Sequence, residues 1–490
     1  MKVGVIFSGA FLPWDFGTEL GTLPPVFVPF ENRFLLEFQV KSLREHCDEI
    51  YLTLPEHYEL TTWEIKKIEE LGVQVLETPA SFKLLDAFRL VLIKFYGISD
   101  ELLLYHGDSL FLKIPKEENF ILIGSNQRNY DWGRMGESND VYAGLIRTTG
   151  KIENLLNFLS YAGNNLDHFL MLLSRAEGFK KVFTQDWLDL GHLYTYFDSK
   201  KDYTTERAFN EISIEGNSVT KSSNNESKIS AEWKWFRNLP VSMRSYSPLL
   251  IESDDAKSYT IEYLKFFTLS ELSVFGKLNV DVWRNILIKC EHFLGDAEKV
   301  KIENQQELNS TAQRFYIDKM QSRLLEYETA GLKEYRPRIE KLMALVTEKL
   351  SGLEEKESFM HGDFCFSNVF YDFRHRQIKV IDPRGQDVDM NVSYLGPSSY
   401  DFVKLAHSCI GHYDQIICGM YEINGDKIHF HLSDSQKAQK QAFCEVFDHR
   451  IDETLRYKLV SLFLSMIPLH ADRPSRQKAF FFNAEKLAFE

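Results

Sequence analysis

The stretch that decides the fold of the second half is His361-Gly362-Asp363-Phe364-Cys365-Phe366-Ser367-Asn368, followed by an apolar strand ending in Ile381-Asp382. Phosphoryl transfer needs a carboxylate to orient an attacking hydroxyl and accept its proton, and oxygen ligands to fix magnesium between phosphates. The HxDxxxxN spacing supplies Asp363 for the first task and Asn368 for part of the second. Asp382, reached after a hairpin that returns the chain, supplies the remainder. Taken singly, each residue has a plainer reading: HGD as a turn closed by an Asx hydrogen bond, and an Asp after a strand as a helix cap. Their joint order and spacing argue for a site.

Working upstream, FNEISIEGNSVTK reads as two strands joined by a tight turn at Gly216-Asn217. Lys221 closes the second strand, and Glu232 lies in the following helix within SAEWKWF. A kinase needs a lysine on the phosphates and a helix glutamate to hold it. Lys228 is a rival; Lys221 is preferred because it ends a β-branched run, whereas Lys228 follows a polar turn. Beyond about residue 280 the pattern is largely helical, including Gln305–Glu328 and Tyr335–Leu350. The segment Phe370–Asp382 is strand-rich, and the last hundred residues return to helix.

On these residues, the segment from 205 to 490 resembles the aminoglycoside phosphotransferase and choline kinase family of protein-kinase-like enzymes. Tyr400-Asp401-Phe402-Val403-Lys404-Leu405 also matches that family's pattern after the metal aspartate. The resemblance implies an α+β fold with a small N-lobe carrying Lys221 and Glu232, and a hinge near Glu262-Tyr263-Leu264, with Glu262 and Leu264 beside the nucleotide. It implies a helical C-lobe with Asp363 as base, Asn368 and Asp382 as Mg2+ ligands, and ATP as phosphoryl donor. Two departures stand out. Pro383-Arg384-Gly385 follows Asp382 where many members carry another acid, and Gly216 stands without a glycine-rich loop. Arg384 has two readings of equal weight, a contact to substrate or phosphate and a salt bridge that anchors its loop. Tyr316, Lys319 and Arg323 fall on one side of a predicted helix; they are candidates for an acceptor pocket, although a solvated charged face is the commoner outcome for such spacing. His470 and Arg473 are equally ambiguous and stay outside the catalytic set.

The first two hundred residues have a different rhythm. Val3–Ser8, Glu49–Leu54, Val73–Glu77 and Glu101–Tyr105 read as strands, alternating with helices at Phe34–Glu45, Thr62–Leu71 and Leu84–Phe95. Such alternation predicts an α/β domain with a mainly parallel, Rossmann-like sheet, with its ligand site beyond the carboxyl ends of the strands. The texture changes at SKKDYTTER, which sets the expected domains at 1–203 and 204–490. His106-Gly107-Asp108 follows one strand, and Trp187-Leu188-Asp189-Leu190-Gly191-His192 closes the domain. Asp108 and Asp189 could hold magnesium on a nucleoside triphosphate, or serve as turn and cap residues.

This arrangement resembles sugar-phosphate nucleotidyltransferases, in which an aspartate after a central strand and one in a WLDxG segment hold the metal. Ala143-Gly144, read as following a strand, fits that family's sugar-side region. The opening loop departs from the family. Glu19 stands where an arginine is expected and Pro25 where a lysine is expected, which weakens the grip on a triphosphate. Arg33 and Lys83 are candidate substitutes. The resemblance implies CTP or another nucleoside triphosphate as cofactor for this half. Two readings follow for it, nucleotidyl transfer or a retained binding module, and the pairing of folds suggests kinase and nucleotidyl transfer in sequence, as in bacterial pathways that activate precursors of capsule or other surface polysaccharides. A third reading, from another class, is a nucleotide-binding scaffold with neither activity.

Bulk properties narrow the partners. Of 490 residues, 71 are acidic and 57 basic, a net charge of −14 with no Lys/Arg-rich run, so nucleic acid is not an expected partner. The expected partners are nucleotides and a small-molecule alcohol or sugar. Hydrophobic residues at 44 % and charged residues at 26 % describe a folded enzyme. Six cysteines without metal-ligand spacing read as free thiols of a reducing compartment. The opening MKVGVIFSGAF reads as a strand, not a cleavable signal, and no apolar run is long enough to insert in a membrane. The expectation is a cytoplasmic protein.

Overall fold

The alternation in the first half folds as a seven-stranded sheet in the computed structural model, which describes residues 1–125, 140–203, 210–251, 257–301, 311–325 and 332–489. The chain divides into two compact units, Met1–Tyr203 and Thr204–Glu490. In the first, Lys2–Phe7 is central and pairs in parallel with Glu49–Pro55 on one side and Glu101–His106 on the other. Gln74–Thr78 extends the parallel part past Glu49–Pro55. Asp140–Thr149 runs antiparallel between Glu101–His106 and Phe120–Ser125, and Lys180–Phe183 closes that edge in parallel. Ala143 and Gly144 therefore lie inside a strand, a correction to their expected place after one.

Local chemistry explains why these pieces form. Thr61 accepts from the Glu64 amide while Glu64 reaches back to Thr61, a capping box that starts the helix Thr62–Glu70. Leu84–Phe95 buries Leu85, Phe88, Val91, Leu92 and Phe95, a stripe at helical spacing, against the sheet residues Val3, Val5, Leu102 and Leu104. A second, two-stranded pair, Ser109–Phe111 with Trp187–Asp189, stands apart from the main sheet. It is this pair that positions the aspartates.

The second unit opens with a four-stranded antiparallel sheet in the order Asn210–Glu215, Ser218–Ser223, Ser258–Glu262, Leu250–Ile251, with the helix Glu226–Arg237 inserted after its second strand. This is the small-lobe layout expected from the sequence. The rest is helical, dominated by Val280–Glu298, Arg336–Leu350, Tyr400–Cys409, Asp434–Phe447, Leu455–Met466 and Pro474–Phe489. One short hairpin, Val369–Asp372 with Gln377–Val380, interrupts it. The helix expected over 305–328 is described only at 311–325, where a π-helical turn at Arg314–Asp318 leads into Lys319–Leu325. Residues 305–310 and 326–328 of that expectation, and 204–206 of the expected linker, lie outside the described residues. No helix among the described residues is long and apolar enough to cross a membrane, and the six cysteines are free thiols.

Candidate functional site

In the second unit, strand pairing places Lys221 directly opposite Tyr259. Both reach the same carboxylate: Lys221 Nζ lies 2.7 Å from Glu232 Oε2, and the Tyr259 hydroxyl donates to that oxygen at 2.9 Å. Lys221 is also 3.0 Å from Asp382 Oδ1. Burial opposes the lysine's charge, but Asp382 and Glu232 outweigh it and raise its pKa, so it remains an ammonium. Lys228 is half-exposed and 3.8 Å from Glu232, so Lys221 makes the closer pair.

The loop carrying Asp363 is held from several directions. Asp401 accepts the backbone N–H groups of His361 at 2.6 Å and Gly362 at 2.8 Å. Trp235 donates its indole N–H to the Met360 carbonyl at 2.9 Å. Phe364 and Phe366 stack on Phe293 and Trp283 of the helix Val280–Glu298. Asn368 donates to the Asp363 carbonyl at 3.0 Å and to Asp363 Oδ2 at 2.9 Å. Lys404 Nζ lies 2.8 Å from the other carboxylate oxygen. Burial raises the pKa of Asp363, but Lys404 more than offsets it and holds the group well below the usual carboxylate range. Its side chain is still 41 % exposed, and it lines a cavity of about 460 Å³ shared with Lys221, Asn368 and Asp382.

Asp382 follows the hairpin at a φ of 55°, a left-handed backbone uncommon for a residue with a side chain. Gly385, at φ 63°, lets the same loop press against the helix of Glu232: a Cβ there would lie 2.4 Å from the Ala231 carbonyl oxygen. Arg384 makes no salt bridge among the described residues. It donates to the Asp387 carbonyl at 3.0 Å, packs 5.3 Å from the Phe315 ring centre, and lines the cavity.

The oxygen donors fit a hard divalent cation. Because Asn368 uses its amide nitrogen toward Asp363, its carbonyl oxygen is the end left for a metal, beside the Asp382 carboxylate. Two sequence expectations fare differently. The Glu262 side chain is exposed and accepts from the Leu249 amide at 3.3 Å, and neither Glu262 nor Leu264 lines the cavity. Lys319 and Arg323, by contrast, do line it, instead of forming a solvated face; Tyr316 turns its hydroxyl to Ser399 at 2.9 Å. His470 packs on Phe480 and stays outside the cavity lining. The roles of Lys404, Asp401 and Tyr259 escaped the sequence reading. Only Lys404 and Asp401 had a signal there, as neighbours in one matched segment.

In the first unit, Asp108 sits in the turn after Glu101–His106, and Asp189 ends Trp187–Asp189. The short strand pair draws them together: Leu190 N–H donates to the Asp108 carbonyl at 2.8 Å, and a Cβ on Gly191 would lie 2.7 Å from Asp108 Oδ2. Both line a cavity of about 350 Å³ with Ser8, Gly9, Pro25 and Lys83. Burial, and then repulsion from Asp189, raises the Asp108 pKa to about 6. Lys83 reaches this cavity; Arg33 and Glu19 do not line it.

No family model matches the sequence, and no curated protein matches it. Among solved structures, the chain is similar to the inositol-1-phosphate CTP transferase from T. maritima, with 16 % identity, 40 % of this chain and 91 % of that one covered, and a TM-score of 0.33. It is similar to a choline/ethanolamine kinase family protein from Mesorhizobium loti, with 9 % identity, 58 % and 87 % covered, and a TM-score of 0.37. It is also similar to APH(2")-IIia, solved with GDP and kanamycin, with 12 % identity, 60 % and 98 % covered, and a TM-score of 0.38.

Proposed function

We propose that the second unit transfers a phosphoryl group from ATP to the hydroxyl of a small molecule. The observation that carries this reading is one cavity holding two linked constellations, Lys221–Glu232–Asp382 and Asp363–Asn368. Lys221, kept charged and pinned by two carboxylates, binds phosphate oxygens. Asn368 and Asp382 hold Mg2+, which when bound neutralises charge on the phosphates. Asp363 has its two oxygens fixed by Lys404 and Asn368, so it orients the acceptor hydroxyl along one direction. A carboxylate held well below its usual pKa is a weak base at neutral pH. Asp363 therefore contributes chiefly by orientation, and takes the proton late, when bonding to phosphorus has made the hydroxyl acidic. ADP release in the presence of candidate alcohols and sugars tests this: Asp363→Ala is expected to lower turnover by about 10³-fold, and equal turnover of the variant would overturn it.

For the first unit we infer nucleotidyl transfer to the phosphorylated product, with Asp108 and Asp189 holding the metal of a nucleoside triphosphate, CTP being one candidate. Two such steps in one chain suit the making of activated precursors for bacterial capsule or other surface polysaccharides. One observation favours a second reading for this unit, a non-catalytic binding module: Lys83 is the sole lysine or arginine among the residues lining its cavity, with Pro25 where a lysine is expected. Pyrophosphate release from CTP, UTP, GTP or dTTP with a phosphorylated acceptor, abolished by Asp108→Ala, separates the two.

A further inference from the structure

Four cations gather around Asp363 in the second unit. Lys319 and Arg323 lie one turn apart on the helix Lys319–Leu325, Arg384 follows the Asp382 loop, and Lys404 comes from Tyr400–Cys409; all four line the same cavity. They are close enough to feel one another: burial, and then Arg384, Lys404 and Arg323, hold the Lys319 ammonium well below its ordinary pKa. Lys404 has Asp363 as its counter-ion. Lys319 donates at 2.7 Å to the Tyr400 hydroxyl, and Arg384 at 3.0 Å to a backbone carbonyl. These are neutral acceptors that satisfy hydrogen bonds without cancelling charge. Arg384 Nη1 is buried and has no hydrogen-bond partner among the described residues.

Confined cations without counter-ions are costly to keep apart from water, and an anion brought among them recovers that cost. The Lys221 end of the cavity already carries the cation a triphosphate needs, balanced by two carboxylates. The Asp363 end has the surplus, and it is against Asp363 that an acceptor hydroxyl must sit. We propose that the phosphoryl acceptor is itself an anion, a hydroxyl compound bearing a carboxylate or phosphate that Lys319, Arg323 and Arg384 bind. This rests on the phosphotransferase reading. Amino alcohols and aminoglycoside-like polycations would meet like charge at the same place.

Inorganic phosphate and acetate stand in for the two anionic groups, and ethanolamine for a cationic acceptor. Each is titrated calorimetrically into the full chain preloaded with Mg2+ and AMP-PNP. Phosphate or acetate is expected to bind the nucleotide-loaded protein, the stronger of the two naming the group, and ethanolamine is not. Lys319→Gln and Arg384→Gln, made separately, are expected to weaken anion binding at least tenfold with AMP-PNP affinity within about twofold of wild type. Lys319→Arg, which keeps the charge, is expected to retain it, so that a folding defect in one variant does not decide the matter. The proposal is overturned if neither anion binds, if nucleotide displaces it, if both Gln variants bind like wild type, or if ethanolamine binds more tightly. Anion binding that is variant-sensitive in a protein unable to take up AMP-PNP would instead overturn the kinase reading, and with it the acceptor role, while the anion site stood.

Discussion

In the second unit each acid of the cavity has a cation against it, Lys404 on Asp363 and Lys221 shared by Glu232 and Asp382. In the first unit Asp108 and Asp189 face each other, and Lys83 is exposed at the same cavity. Opposite charges hold their geometry before any ligand arrives, whereas two like charges held close oppose one another until a cation enters between them. The second site is thus assembled in advance. The first is completed by what it binds.

That contrast can be broken most severely at Lys221. Lys221→Met removes the phosphate cation and leaves Glu232 buried beside Asp382, so ADP release should fall about 10³-fold and urea unfolding should show a loss of about 3 kcal/mol. A fully active, fully stable variant would mean that the ion pairs do not organise the site. Gly385→Ala attacks the same assembly without touching a charge. Its Cβ would collide with the Ala231 carbonyl at a backbone angle that side chains avoid, so a stability loss of about 1–3 kcal/mol is expected, with a weaker grip on nucleotide as the Glu232 helix is displaced.

The first unit offers a test through pH. With the folded pKa of Asp108 raised from 3.8 to about 6, its contribution to stability is complete below the unfolded value and is lost as pH rises through 6. A divalent cation must displace that proton. Mn2+ affinity of the full chain should therefore rise roughly tenfold per pH unit up to about 6 and level off above it, and Asp108→Asn should flatten the profile. An affinity indifferent to pH between 5 and 7 would show that the aspartates do not form the site. The smallest effect is expected at Lys404. Lys404→Met lets the Asp363 pKa rise, so the acid limb of kcat/KM for phosphoryl transfer should move to higher pH by about one unit, while an unmoved limb would exclude Lys404 as the cause of the depression.

Much of this was legible in the chain. The βα alternation of the first half and the hairpin before Lys221 are patterns of near neighbours, which sequence displays directly, and the spacing from Asp363 to Asn368 is closed within one loop. What escaped depends on residues remote in sequence. Tyr259 meets Glu232 because two strands pair, and Lys319 meets Arg384 because a helix packs across the Asp382 loop. The solvated-face reading of Tyr316, Lys319 and Arg323 missed for the same reason: one charged helical stripe looks alike whether it faces water or a cavity. Ala143-Gly144 was placed one element too late because a long apolar strand gives no internal sign of where it stops.

The wide turn at Arg314–Asp318 sets a rotational phase. In an ordinary α-helix one residue corresponds to about 100° of rotation, so deleting a single residue there would let the coil tighten and swing everything after it around the axis. Lys319 and Arg323 would then leave the cavity wall with their own identities untouched. A one-codon deletion outside the charged cluster could thus switch which molecules the pocket accepts.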